Sequence, residues 1–83
     1  MENSDTLDRT QFLRALAAQL IMVRKARGYS QDRLALEAGL SRGALSKIEK
    51  GTVDPRASTL AIIAHALNVP VSSLFPPFGK PSG

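Results

Sequence analysis

Apolar residues recur along this chain at three- and four-residue spacing, the repeat of one helix face, and no stretch reads as a strand. Leu13, Leu16, Leu20 and Val23, interleaved with Arg14, Arg24, Lys25 and Arg27, predict an amphipathic helix over residues 9–27. Asp8, with Gln11 three residues later, supplies its cap. Gly28 ends it, because glycine reaches the left-handed conformation needed just past a helix C-terminus, and the bases before it favour the negative end of the helix dipole. Ser30 caps a second helix starting at Gln31, with Leu34, Ala35 and Ala38 inward, and Gly39 stops it after eight residues. Helices shorter than about 12 to 15 residues are marginal alone in water, so this one depends on a packed neighbour. That neighbour is a third helix, capped by Ser41, with Leu45 and Ile48 inward and its end at Gly51.

Asp54-Pro55 marks a loop, since proline pushes its predecessor out of the helical region. Leu60, Ile63, Ala64 and Leu67 then define a fourth amphipathic helix, which Asn68 ends in left-handed geometry. Pro70 suits the start of a helix, so residues 71–75 are expected to form one last turn before Pro76-Pro77 forbids continuation. Residues 1–8 are polar and acidic and are expected to be a flexible arm, residues 77–83 a flexible tail. Between them, residues 9–76 are expected to form one all-α domain of five helices, without an internal repeat.

Composition narrows the chemistry. Eighty-three residues with 43% apolar side chains suit one small core and exclude separate catalytic and regulatory domains. Eleven Lys and Arg against seven Asp and Glu give a net charge of +4. The first eight residues hold Glu2, Asp5 and Asp8 and no base, so the rest carries eleven bases against four acids, a net +7. A domain this basic suits a polyanion or an anionic membrane surface. Cysteine is absent, which excludes disulfides and thiolate metal sites. The single histidine, His65, falls on the polar side of the fourth helix without convergent carboxylates, so neither a metal site nor a Ser-His-Asp arrangement is expected. The longest apolar stretch, Leu60 to Leu67, is broken by His65 and falls short of the roughly 20 residues a membrane span requires. The N-terminus carries acids where an export signal carries bases, and a soluble, cytoplasmic protein is expected. An enzyme is not indicated, and no cofactor, metal or small-molecule effector is expected. Basic stretches interleaved with exposed aromatics, which would suit a general RNA binder, are missing.

The informative segment runs from Gln31 to Lys50, where helix, tight turn and helix leave the outer face of the third helix free. Small Ala35 lets the two helices approach, and Gly39 permits the turn. Left outside on the third helix are Arg42, Gly43, Ser46, Lys47 and Lys50, which are donors and a gap with no carboxylate among them. Arg42, at the first helical position, reaches guanine edges bidentately or a phosphate. Gly43 costs around 1 kcal/mol relative to alanine inside a helix, which points to close approach of the backbone to a partner. The free N–H groups at the start of the second helix make Gln31 and the backbone around Ser30 phosphate contacts, with Ser41 at the next cap. Lys50, Thr52 and Arg56 surround the loop after the third helix and are expected on phosphate, where contacts position a domain without reading sequence.

Gly28-Tyr29-Ser30-Gln31, Leu34-Ala35, Gly39-Leu40-Ser41-Arg42, Ile48-Glu49-Lys50-Gly51, Pro55, Ala64-His65-Ala66-Leu67 and Leu74-Phe75 together form a pattern. It resembles the phage-repressor and Cro-like helix-turn-helix family, also called the XRE family. The resemblance covers about residues 12 to 75. It implies a five-helix, lambda-repressor-like DNA-binding domain, with the helix-turn-helix at helices two and three and the third helix in the major groove of double-stranded DNA. Ser46 and Lys47 would then read base edges beside Arg42 and Gly43. Glu49 is an acid within a basic surface and needs a partner; the resemblance gives it Arg24, as a structural ion pair tying the first helix to the third. Arg56 departs from the family, which often has a small hydroxyl residue there, and this leaves the start of the fourth helix without its usual cap.

The resemblance further implies a homodimer joined through the fifth helix and the end of the fourth, on a surface of Val69, Val71, Leu74, Phe75 and Phe78. Phe78 between prolines has little to pack against within one subunit. The expected function is that of a sequence-specific transcriptional regulator, its recognition helices about 34 to 36 Å apart on a near-palindromic operator. The alternative is an antitoxin-like protein whose C-terminal surface binds a partner and whose DNA binding serves autoregulation.

Overall fold

The structure, a computed structural model, describes residues 8–77. Asp8 opens α1 (Arg9–Ala26): its carboxylate accepts from the Thr10 backbone N–H at 3.0 Å. Asp8 is thus part of the folded unit, not of the expected arm over residues 1–8, because its side chain satisfies a donor that a helix start otherwise leaves unpaired. The rest of that arm, and Phe78 with the tail beyond it, lie outside the described residues. α1 ends one residue earlier than expected, with Arg27 at the cap and Gly28 at φ +79°.

α2 (Gln31–Ala38) and α3 (Arg42–Glu49) begin alike. The hydroxyls of Ser30 and Ser41 accept from the backbone N–H groups of Arg33 and Ala44, each at 3.0 Å. Gly39, at φ +70°, turns the chain between them, and the N–H of Leu40 closes back on Ala35 O at 2.9 Å. α4 (Ala57–Leu67) starts at Arg56 without a side-chain cap and ends at Asn68, φ +60°.

The expected fifth helix is a single 3-10 turn, Val71–Leu74. Its bonds reach back three residues, from Ser73 N to Pro70 O at 2.9 Å and from Phe75 N to Ser72 O at 3.2 Å. Phe75 is extended (φ −91°, ψ 132°), as the ring of Pro76 requires of the residue before it. Proline on both sides therefore leaves room for one turn and no α-helix.

One core joins all these elements. Leu20 from α1, Leu34 from α2, Leu45 from α3, Ile63 and Leu67 from α4, and Leu74 from the 3-10 turn are fully buried in it. Leu74 was expected at a subunit contact, but its side chain is spent inside its own subunit. The C-terminal half is also fastened to α1 through backbone carbonyls: Arg27 Nε donates to Leu67 O at 3.1 Å and Gln19 Nε2 to Ser73 O at 3.0 Å. At the other end of α3, Gly51 (φ +73°) comes so close to α1 that a Cβ there would lie 3.3 Å from Arg14 Cα and Leu13 O.

Candidate nucleic-acid interface

α3 has two unlike faces. Leu45, Ile48 and Glu49 are buried, whereas Arg42, Gly43, Ala44 and Lys47 are exposed and Ser46 is half-buried. The helix is only eight residues long, so what fixes it is its packing and its anchors.

The main anchor is Glu49, whose side chain is 4% exposed. Arg24 grips it with two parallel bonds, Nε to Oε2 at 2.7 Å and Nη2 to Oε1 at 3.0 Å. This bidentate geometry gives a guanidinium–carboxylate pair its directionality. Arg24 Nη1 donates to Tyr29 O at 2.9 Å, and Gln31 Nε2 donates to Glu49 Oε1 at 3.0 Å. The acid expected to disturb a basic face is thus buried and compensated, and the same four residues lock α1, α2 and α3 together.

From this anchor the contacts run outward. Arg42 Nε donates to Gln31 Oε1 at 3.5 Å, and the Asp32 carboxylate forms an ion pair with the same guanidinium, Oδ1 lying 3.0 Å from Nε. Ser30, Gln31 and Arg42 therefore meet at one edge, where α2 begins beside the start of α3. Beyond α3, Thr52 donates through both its N–H and its hydroxyl to Lys47 O, at 3.2 and 3.1 Å. An open cleft of about 420 Å³ separates the α3 face from the following loop and the first turn of α4, lined by Gly43, Ala44, Lys47, Val53, Pro55 and Thr59. Lys50 and Arg56 are exposed at the ends of that loop. On the other side of α2, Arg33 stacks 4.0 Å over the Tyr29 ring, and its bond to Glu37 raises its pKa further above the ordinary arginine value.

Gly43 has a distinct environment. A Cβ built on it meets nothing within 4 Å, and its φ is not in the left-handed region, so nothing in the fold asks for glycine there. Among the described residues no group of three or more His, Cys, Asp or Glu gathers to hold a metal, and no helix is long and apolar enough to cross a membrane. His65 is exposed on α4.

A helix-turn-helix family model matches residues 20–74, which holds the C-terminal part of α1 and every element after it. The chain belongs to the helix-turn-helix family. Among its relatives, the HTH-type transcriptional regulator SutR of Escherichia coli is 41% identical over 64 residues, covering 77% of this chain and 36% of SutR. The immunity repressor protein of Bacillus phage phi105 is 42% identical over 52 residues, 63% of this chain and 36% of the repressor. The chain thus spans about a third of the length of these two relatives. Among solved structures, the restriction-modification controller protein C.AhdI from Aeromonas hydrophila superposes with a TM-score of 0.73 at 30% identity, over 76% of this chain and 96% of that one.

Within this helix-turn-helix, α2 and α3 are the two helices of the motif and Gly39 is the turn. The structure brings Ser30, Gln31, Ser41 and Arg42 together at one edge and puts Gly43, Ser46, Lys47, Lys50 and Thr52 along α3 and its end. Arg56 stands apart, at the start of α4. Of the residues expected at a subunit contact, Val71 and Phe75 are 42% and 44% exposed, Val69 is half-buried and Leu74 is core. Phe75 also packs against Phe12, with ring centroids 6.1 Å apart and the rings tilted by 44°. Asp32 and the cleft beside Ala44 are absent from the sequence reading. The one available signal for Asp32 was an acid in the first turn of α2, beside a basic face.

Proposed function

We propose that this helix-turn-helix protein is a sequence-specific, double-stranded-DNA-binding transcriptional regulator that works as a homodimer on a near-palindromic operator. The observation that carries this reading is the outer face of α3, where Arg42, Gly43, Ser46 and Lys47 project from a helix whose inner face is fixed by the buried Arg24–Glu49 pair. Rigid placement matters, because base edges are read by donors and acceptors held at fixed positions in the groove. Gly43 supports close approach, being a glycine that the fold does not need. Ser30, Gln31 and Ser41 on one side of the α3 face and Lys50 and Thr52 at its end, with Arg56 farther off at the start of α4, are the phosphate contacts of this reading. Exposed Val71 and Phe75 offer an apolar contact for a second subunit at the end of the chain remote in sequence from the motif. The names of the relatives, regulators and a phage repressor, favour the same reading.

Selection of bound duplexes from a random pool, with the oligomeric state followed by light scattering, tests it. The expected result is an enriched inverted repeat with half-sites about one helical turn apart, bound by a dimer. A pool without enrichment would overturn it and favour the antitoxin-like reading, with Val71 and Phe75 as the partner surface.

A further inference from the structure

Asp32 is an acid on the edge that would meet polyanionic DNA, and neither the core nor the contacts proposed above account for it. Its side chain is 70% exposed and its partner Arg42 is 68% exposed, so the pair adds little to stability. The first turn of a helix favours a carboxylate, but that holds for any acid in the turn. What is particular is the side of the guanidinium on which Asp32 sits. A guanidinium carries one N–H on Nε and four on its terminal nitrogens. Arg42 Nε–H is directed at Gln31 Oε1, 3.5 Å away, Asp32 Oδ1 holds the guanidinium on that same side by charge with 3.0 Å to Nε, and no hydrogen bond to a described residue occupies the Nη1–Nη2 edge. That terminal edge is a fork of parallel donors and matches O6 and N7 of guanine. An arginine without such a support is long and flexible, and near DNA its strongest attraction is to phosphate.

We propose that Asp32 is a positioning, specificity-determining residue, which holds Arg42 on its Nε side so that the terminal edge of the guanidinium faces a guanine. The inference rests on Arg42 reading a base edge, as in the function proposed above. Gln31 backs the same nitrogen and is itself tied to buried Glu49, so the chain of contacts runs from the α1–α3 anchor to the reading atom. Asp32 then lowers affinity for all DNA through its charge while raising the preference for one sequence.

The test measures binding of the wild type, Asp32→Ala, Asp32→Asn, Arg42→Ala and the Asp32→Ala/Arg42→Ala double variant to the selected operator and to a random duplex, at one salt concentration. Asp32→Ala is expected to bind random duplex about twofold more tightly, having lost a negative charge near phosphate. Its operator-to-random ratio should fall about fivefold or more, the scale of one bidentate base contact. Asp32→Asn keeps the shape of the side chain but loses the charge that pairs with Arg42, so its ratio should fall as in Asp32→Ala. In the Arg42→Ala background, Asp32→Ala should leave the ratio unchanged, since the two residues act as one unit. Melting temperatures should match the wild type, as both side chains are exposed. A ratio that is unchanged or raised in Asp32→Ala, or kept at the wild-type value in Asp32→Asn, overturns the positioning role. If Arg42→Ala alone keeps the wild-type ratio, the base-reading role of Arg42 has failed, and that result is separate from the Asp32 comparison.

Discussion

Removing the Glu49 carboxylate would leave the Arg24 guanidinium, 11% exposed, without either of the oxygens it grips, and the Gln31 amide without its acceptor. An uncompensated buried charge of this kind costs about 3 to 5 kcal/mol, a large part of the 5 to 15 or so that holds a domain folded. Glu49→Ala is therefore expected to be largely unfolded or to melt far below the wild type in a thermal scan; an unchanged melting temperature would refute the anchoring role. Gly43→Ala should act in the opposite direction. An added methyl meets open space and removes the backbone entropy penalty of glycine, so urea unfolding should show a gain of roughly 0.5 to 1 kcal/mol. Affinity for operator DNA should fall in the same variant if the backbone at Gly43 approaches the duplex; a gain or no change in affinity would make it an ordinary surface glycine. The resemblance pointed to Arg24 as partner of Glu49, since both positions lie within the stretch it covers. It could not give Asp32–Arg42, because that contact joins the starts of two helices and no spacing within either helix encodes it.

Element boundaries were legible wherever a local signal sets them. Ser30 and Ser41 cap, Gly39 and Asn68 stop, and each acts through bonds to residues two to four positions away. The last element was read less well, because apolar spacing alone does not separate an α-turn from the single 3-10 turn that two flanking prolines permit. Glycines at helix ends make the difference between a local and a tertiary requirement measurable. Gly39 and Gly51 share a left-handed backbone, with φ +70° and +73°, but a Cβ at Gly39 meets nothing while one at Gly51 presses on the α1 backbone. Left-handed strain costs an alanine about 1 to 2 kcal/mol at either site. Gly51→Ala should exceed Gly39→Ala in destabilisation, read as the difference in urea midpoint at equal slope, because α1 or α3 must also move. Equal midpoints would show that the α1–α3 approach yields freely.

At the scale of the molecule, the sequence carries a net charge of +4, and every base proposed for the DNA face is exposed. Binding should weaken steeply with salt: a dimer neutralising about six phosphates gives a slope of log affinity against log salt near −5. A flat dependence, measured by titration between low and moderate salt, would remove phosphate contacts from the account. The core was legible in the sequence, since helical spacing named nearly all of its leucines and isoleucines. The fate of the C-terminal apolar residues was not, because burial within a subunit and burial between subunits select the same side chains; Leu74 went to the first, and Val71 and Phe75 remain outside. The separation of α3 into a pinned inner face and a free outer one has a consequence for descent with change. Positions 42, 43 and 47 contribute no side chain to the core, so a relative could exchange them and acquire a new operator without having to refold around the exchange. Positions 24 and 49 have no such licence, since each can change only together with the other.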